Sequence, residues 1–224
     1  GDEPQTSAAS KPNMSESDHF LRNIKSKKRL VRKGAMLFNE KASKGIDFLV
    51  SAGLFADPPT PDSVASFLRN GIVVGLKKHA VGAYLGEVGK PRAAGKSPPV
   101  WERDWFHKDV LSTYCSLFRF EGQSLLDGLR MFLASFRLPG EAQQIDRILQ
   151  AFSDTCCQVC EESVSGRLKL FSTDPKRASD AAYLLSFSII MLNTDLHNTN
   201  IREDRKMKLE DFIRNNTNYG ADIT

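Results

Sequence analysis

The chain holds 224 residues, enough for one large domain or a domain with tails, and its 41% hydrophobic and 26% charged residues suit a globular protein with a sizeable core. A formal net charge of +4 is too small to imply nucleic acid by itself. No apolar run approaches the roughly 20 residues needed to cross a bilayer, and the polar first stretch carries no secretory signal. The sequence starts at Gly1 rather than Met, for which a fragment or a cloning scar is the expected reason.

Residues 1–22 are rich in Ser, Pro, Asp, Glu and Gln, and are expected to be a disordered or loosely attached tail. The folded domain is expected over 23–224. Lys25, Lys27, Lys28, Arg29, Arg32 and Lys33 crowd its first segment; they read as a solvated helix face, with anionic lipid or RNA as the alternative contact. From Lys28 to Lys41, Leu30, Val31, Ala35, Leu37 and Phe38 form a helical stripe. Gly45 opens a short element through Ile46 and Leu49 that stops at Gly53. Thr60-Pro61 has the form of a helix cap followed by a first turn, and predicts a helix through Val64, Phe67 and Leu68. Another apolar stretch ends near Leu85-Gly86. Residues 87–103 carry Gly89, Pro91, Gly95, Pro98 and Pro99 among basic residues, and read as a long surface loop or insertion.

The remainder is helical by periodicity. One helix is marked by Val110, Leu111, Tyr114 and Leu117-Phe118, the next by Leu125, Leu129, Phe132, Leu133 and Phe136. A third is marked by Ile145, Ile148, Leu149, Phe152, Cys156 and Val159. Ala178 to Leu192 is apolar around much of its circumference, which predicts a central, buried helix. A last helix near Leu209–Ile213 ends in Asn215, Asn216, Asn218 and Gly220. No strand alternation and no repeat is visible, so the fold class is all-α.

Cys157 and Cys160 form a CxxC, yet no second pair and no HxxxH supplies the further ligands that zinc needs, and the four histidines are scattered. Together with Cys115 and Cys156 they read as reduced, half-buried thiols; no metal or cofactor is expected. GxSxG, P-loop and HExxH signatures are absent.

Two stretches go beyond what a helical core requires. In Phe136-Arg137-Leu138-Pro139-Gly140-Glu141-Ala142-Gln143, Pro139 favours an extended Leu138 and Gly140 permits a sharp turn. Glu141 then opens the helix that follows, where the helix dipole favours its carboxylate; simple capping is the alternative. In the second, the apolar helix Ala182–Leu192 breaks into Asn193, Thr194, Asp195, His197 and Asn198, residues that favour helix ends. A protein-binding groove and a buried core helix both fit that pattern.

Together these stretches closely resemble the two signature motifs of the Sec-seven domain family, exchange factors for Arf GTPases. The first runs from Phe118-Arg119-Phe120-Glu121-Gly122-Gln123-Ser124-Leu125 to Gln143-Gln144-Ile145-Asp146-Arg147, the second from Tyr183 to Asn198. A weaker likeness covers Gly34–Lys41 and Lys44-Gly45-Ile46, so that most of 24–224 is included. The resemblance implies a right-handed superhelical stack of about ten helices with a hydrophobic groove that grips the switch regions of a GDP-bound GTPase. Glu141 stands at the family's glutamic finger. Phe187, Met191, Leu192, Asn193, Thr194 and Asn198 fall on the groove motif, and Asp180 matches a supporting position. Family members inhibited by brefeldin A carry Tyr-Ser with a downstream Asp and Met. Here Phe187-Ser188 and Asp195 match that pattern in part, and Met207 is displaced by a short insertion, so weak or intermediate inhibition is expected.

The implied activity is guanine nucleotide exchange without covalent chemistry, in the cytosol at the periphery of Golgi or endosomal membranes. Contact with the membrane surface is expected through the parent protein. A helical adaptor that binds a GTPase without exchange is the competing reading.

Overall fold

The computed structural model describes residues 16–90, 98–162 and 174–217. Nine α-helices are found among them: α1 Glu16–Glu40, α2 Ala42–Ser51, α3 Pro61–Asn70, α4 Lys78–Gly86, α5 Asp104–Ser116, α6 Leu125–Leu133, α7 Ala142–Glu162, α8 Pro175–His197 and α9 Leu209–Thr217. Short 3-10 turns occupy Gly71–Val74, Val100–Glu102 and Glu203–Arg205. The described residues contain no strand, only an isolated bridge between Lys90 and Arg103. The chain is all-α, as its periodicity predicts. Helix α1 starts at Glu16, so 16–22 are helical rather than disordered; residues 1–15 lie outside the described residues.

Local chemistry sets several helix ends. The Thr60 side chain accepts from Ser63 N at 3.2 Å with Pro61 in the first turn, as the sequence predicts. Ser124 Oγ accepts from Asp127 N at 3.1 Å to open α6, and Asp174 accepts from Lys176 N to open α8 ahead of Pro175. The segment 87–103 is tied down at both ends. Lys90 N donates to Glu102 O at 2.6 Å and Lys90 Nζ reaches Glu102 Oε2 at 2.5 Å, while 91–97 lie outside the described residues.

The helices stack in sequence: α1 on α2, α3 on α5, α5 on α7, α7 on α8, and α8 on both α6 and α9. The core centres on Tyr114, whose ring meets Phe118, Phe132 and Phe136 with centroids 5.5, 6.2 and 6.2 Å away. Phe152 of α7 closes the cluster against Phe132 at 5.1 Å and Phe120 at 5.3 Å. The Tyr114 hydroxyl shares a 2.8 Å hydrogen bond with Ser135 Oγ, so even the polar tip of this core is satisfied. Phe118 and Phe120, the aromatic start of the first motif, are thus structural, and Gly122 between them and α6 takes a left-handed φ of 71°.

One expectation fails. Helix α8 is not a central buried helix. Among its described side chains it fully buries only Ala178, Ser179, Ala181, Ala182 and Ser186, all small, which lets it lie close on α7. Its large apolar residues, Leu184, Leu185, Phe187, Ile189, Ile190, Met191 and Leu192, are half-buried or exposed. Apolar content reports that a surface leaves water, and leaves open whether the chain's own core or another molecule covers it.

Candidate functional site

The exposed face of α8 is organised by its spacing. Leu185, Ile189, Leu192 and Leu196 follow at intervals of four, three and four, and so share one stripe. That stripe forms one wall of a groove of about 850 Å³. Leu126, Leu129 and Leu133 of α6 form the opposite wall, Leu138 contributes from the α6–α7 loop, and Phe212 of α9 closes one side. Arg130, Asn193 and Thr194 add polar groups. Of the groove residues Leu126 and Leu196 are exposed, and Phe187, Met191, Leu209 and Ile213 add exposed apolar side chains elsewhere on α8 and α9. Exposed apolar side chains gathered on neighbouring helices mark an interaction surface.

A second cleft of about 600 Å³ lies on the other side of Phe212. Phe187, Ser188 and Met191 of α8 line it together with Met207 and Arg214-Asn215-Asn216. Asp195 stitches its floor: Asp195 Oδ2 accepts from Met207 N at 2.6 Å, which draws Met207 back to α8 although twelve residues separate the two. Lys206 Nζ adds a 2.8 Å bond to Leu196 O. Asn198 ends α8, its Oδ1 accepting from Asn200 N at 2.9 Å, and Thr194 Oγ1 donates back to Ile190 O at 2.8 Å. Asp180 is exposed near the start of α8 and lines neither cleft.

Glu141 sits three residues after the groove residue Leu138, within about 10 Å along the chain. Its carbonyl accepts from Gln144 N and Ile145 N, both at 3.1 Å, so the backbone of Glu141 caps α7. The carboxylate does not: it is exposed and has no hydrogen-bond or ion-pair partner among the described residues. Simple capping therefore leaves the charge of Glu141 unused, projecting from the helix end that favours it.

The mount for this side chain was not foreseen. Gly140, expected to permit a sharp turn, lies at a bend without a left-handed φ, and a Cβ there would meet nothing within 4 Å. The glycines that matter are on α4. A Cβ on Gly82 would fall 1.8 Å from Arg137 O, and one on Gly86 would fall 2.7 Å from Gln144 Cβ. Helix α4 thus lies against both the α6–α7 loop and the first turn of α7. Arg137 N donates to Lys78 O at 3.1 Å, and Lys78 Nζ donates to Ala134 O at 2.6 Å, fixing the loop at two further points. Two glycines four apart on a helix were the sequence signal for this close approach.

Helices α7 and α8 are also locked to each other by polar contacts. Ser179 Oγ donates to Asp154 Oδ1, which also accepts from Gln150 Nε2 at 3.0 Å. Nearer Glu141, the Tyr183 hydroxyl donates to Asp146 Oδ1, and this bond, with some burial and the charge of Asp146, pushes the Tyr183 hydroxyl up to about 12. The helix that follows Glu141 and the helix that walls the groove are therefore tied together by these contacts. Cys115, Cys156 and Cys157 are buried, and burial, the largest influence, raises Cys115 to about 12, away from nucleophilic chemistry. Cys160 lies outside the residues whose side chains are described.

Known proteins resemble this chain in sequence and fold. The sequence profile of the Sec7 domain matches residues 27–224. A brefeldin A-inhibited guanine nucleotide-exchange protein 1 from Arabidopsis thaliana is 40% identical over 185 residues, covering 83% of this chain and 9% of the relative. Cytohesin-2 from Mus musculus is 39% identical over 192 residues, covering 85% of this chain and 40% of the relative. The chain thus spans a small part of the curated relatives it matches. Among solved structures, the Sec7p catalytic domain superposes with a TM-score of 0.62 at 34% identity, covering 84% of each chain. A Sec7 domain bound to ARF1-GDP and brefeldin A gives 0.62 at 30% identity, covering 87% of this chain and 83% of that one. This chain belongs to the Sec7 domain family.

Proposed function

We propose that the chain is a guanine nucleotide exchange domain for Arf-class GTPases, with the α6–α8–α9 groove as the seat for the GTPase switch regions and Glu141 as the displacing residue. The observation that carries this reading is the unpartnered, exposed carboxylate of Glu141 at the end of a loop that itself lines an apolar groove. Relatives named as exchange factors, and a solved relative bound to ARF1-GDP, support the same reading.

The mechanism follows from charge. A GTPase holds its nucleotide tightly because magnesium and a lysine neutralise the phosphates. A carboxylate brought into that site competes for the cation contacts and repels the β-phosphate. Two unit charges about 4 Å apart, at an effective dielectric near 20, interact by about 4 kcal/mol. That corresponds to roughly a thousandfold in rate. Binding of the switch regions in the groove supplies the remainder, since the groove accepts the nucleotide-free form in preference to the loaded one. No bond of the nucleotide is made or broken. Leu192, Asn193 and Thr194 serve the groove, and Asn198 holds the end of its helix; Asp180, outside both clefts, has a supporting role on the α8 surface.

The test is release of a fluorescent nucleotide from an Arf-type GTPase. Glu141→Lys is expected to abolish release while the helical circular dichroism and melting temperature stay unchanged. Normal release by that variant would leave an adaptor that uses the groove alone. The cleft of Phe187, Ser188, Met191 and Met207 is the proposed seat for brefeldin-type inhibition, with Asp195 holding Met207 in place. Because Met207 reaches the cleft despite its shifted sequence position, Phe187 is the remaining departure from the sensitive pattern. Inhibition is expected to be weak to intermediate, and Phe187→Tyr is expected to increase it in the same assay.

A further inference from the structure

Helix α1 is longer than its footing. It packs on α2 and the turn after α3 through Gly34, Ala35 and Phe38, yet residues 19–29 are exposed on every side. From Glu16 to Leu30 the helix runs about 21 Å at 1.5 Å per residue. This arm is neither plain nor randomly coloured. Phe20, Leu21 and Ile24 continue the stripe that Val31, Ala35 and Phe38 bury further on, and they are 67%, 52% and 45% exposed. Lys27 and Lys28 flank that stripe at helical spacing, while Lys25, Arg29 and Arg32 extend positive charge around the helix. None of these five cations forms an ion pair with a carboxylate among the described residues.

We propose that the first half of α1 is a membrane-surface arm that lays Phe20, Leu21 and Ile24 into an anionic bilayer while its lysines and arginines meet lipid phosphates. Two properties select this occupant. The apolar stripe is narrow and bordered by lysine, the arrangement of a helix lying in the interfacial plane, whose long basic side chains reach the headgroups. Clustered basic charge is attracted to an anionic leaflet, and several such residues act together. A second copy of the chain fits poorly, because pairing the stripes brings the flanking lysines of both copies together. A nucleic acid would use the cations and leave the three apolar side chains in water. The arm works independently of the α6–α8–α9 groove, so exchange in solution does not depend on it.

The experiment is co-sedimentation of the whole chain with phosphatidylcholine vesicles and with mixed phosphatidylcholine–phosphatidylserine vesicles. Binding is expected to the mixed vesicles only, and to weaken as salt rises. Lys25→Ala with Lys28→Ala is expected to lower it about 25-fold, each lost charge near the surface weakening partitioning about fivefold. Leu21→Ala with Ile24→Ala is expected to lower it roughly tenfold or more. All four side chains are exposed, so both variants keep the parent melting temperature. Equal binding to both vesicle types overturns the proposal. Loss with the lysines but none with Leu21 and Ile24 leaves the apolar stripe out of the bilayer, as a purely electrostatic polyanion contact would, and overturns it too. A concentration-dependent dimer in light scattering, abolished by the Leu21 and Ile24 changes, assigns the stripe to a second copy with the same consequence.

Discussion

Helices α5 and α8 are built from similar residues and end in opposite surroundings. Helix α5 buries Phe106, His107, Val110, Leu111, Tyr114 and Cys115, and its large side chains fill the aromatic centre of the fold. Helix α8 turns its small residues inward and its leucines, isoleucines and Met191 outward, toward two clefts shared with α9. A helix can therefore be apolar because it is interior, or because another molecule completes it. The two cases differ in which sizes of side chain meet the body: large ones fill a centre, small ones allow a close backbone approach and leave the large ones for a partner.

That contrast can be broken by experiment. The largest effect is expected outside both helices, at Glu141, where charge reversal removes about a thousandfold in nucleotide release. A fall of less than tenfold would make the groove, and not the carboxylate, the source of activity. Next come matched truncations on the two kinds of surface. Phe152→Ala, beneath α5, is expected to lower unfolding free energy by about 3–5 kcal/mol in urea. Met191→Ala, half exposed on α8, is expected to change it by about 0.5 kcal/mol or less while weakening GTPase binding. Equal destabilisation by the two would place α8 in the core after all.

Gly82→Ala sharpens the picture of the mount. A methyl 1.8 Å from Arg137 O must push the loop before Glu141 aside, and a displacement of about 1 Å is enough to cost roughly a hundredfold in release. Gly140→Ala, next to Glu141 itself, meets open space and is expected to be silent. The smallest effect belongs to the core side. Burial of His107 holds its pKa below the ordinary 6.5, so the folded state binds fewer protons there than the unfolded chain. The stability this gives is complete above pH 6.5 and declines as pH falls toward the lowered value. His107→Gln is expected to flatten the dependence of the urea midpoint on pH in that window.

Much of this was legible in the sequence. Periodicity placed the helices, Thr60-Pro61 placed a helix start, and the stretches around Glu141 and Tyr183–Asn198 carried the family likeness. What was not legible depends on distances between segments remote in sequence. Gly82 meets Arg137, Lys78 meets Ala134, and Asp195 retrieves Met207; a local pattern such as the paired glycines of α4 can flag a close approach, but it does not name the partner. At Gly140 the chain bends as the sequence permits, but without the left-handed backbone that glycine alone takes readily. The apolar circumference of α8 misled because hydropathy has no term for which molecule does the covering.

The footing of Glu141 on α4 and α7 has a practical consequence for redesign. The acidic residue is anchored by Gly82, Gly86 and Lys78, whereas the recognition walls are contributed by α6, α8 and α9. On the proposed reading, the displacing residue and most of the recognition walls therefore rest on different helices. If the proposed roles hold, grafting a different set of side chains onto the α8–α9 walls is expected to change the GTPase chosen while Glu141 stays in place.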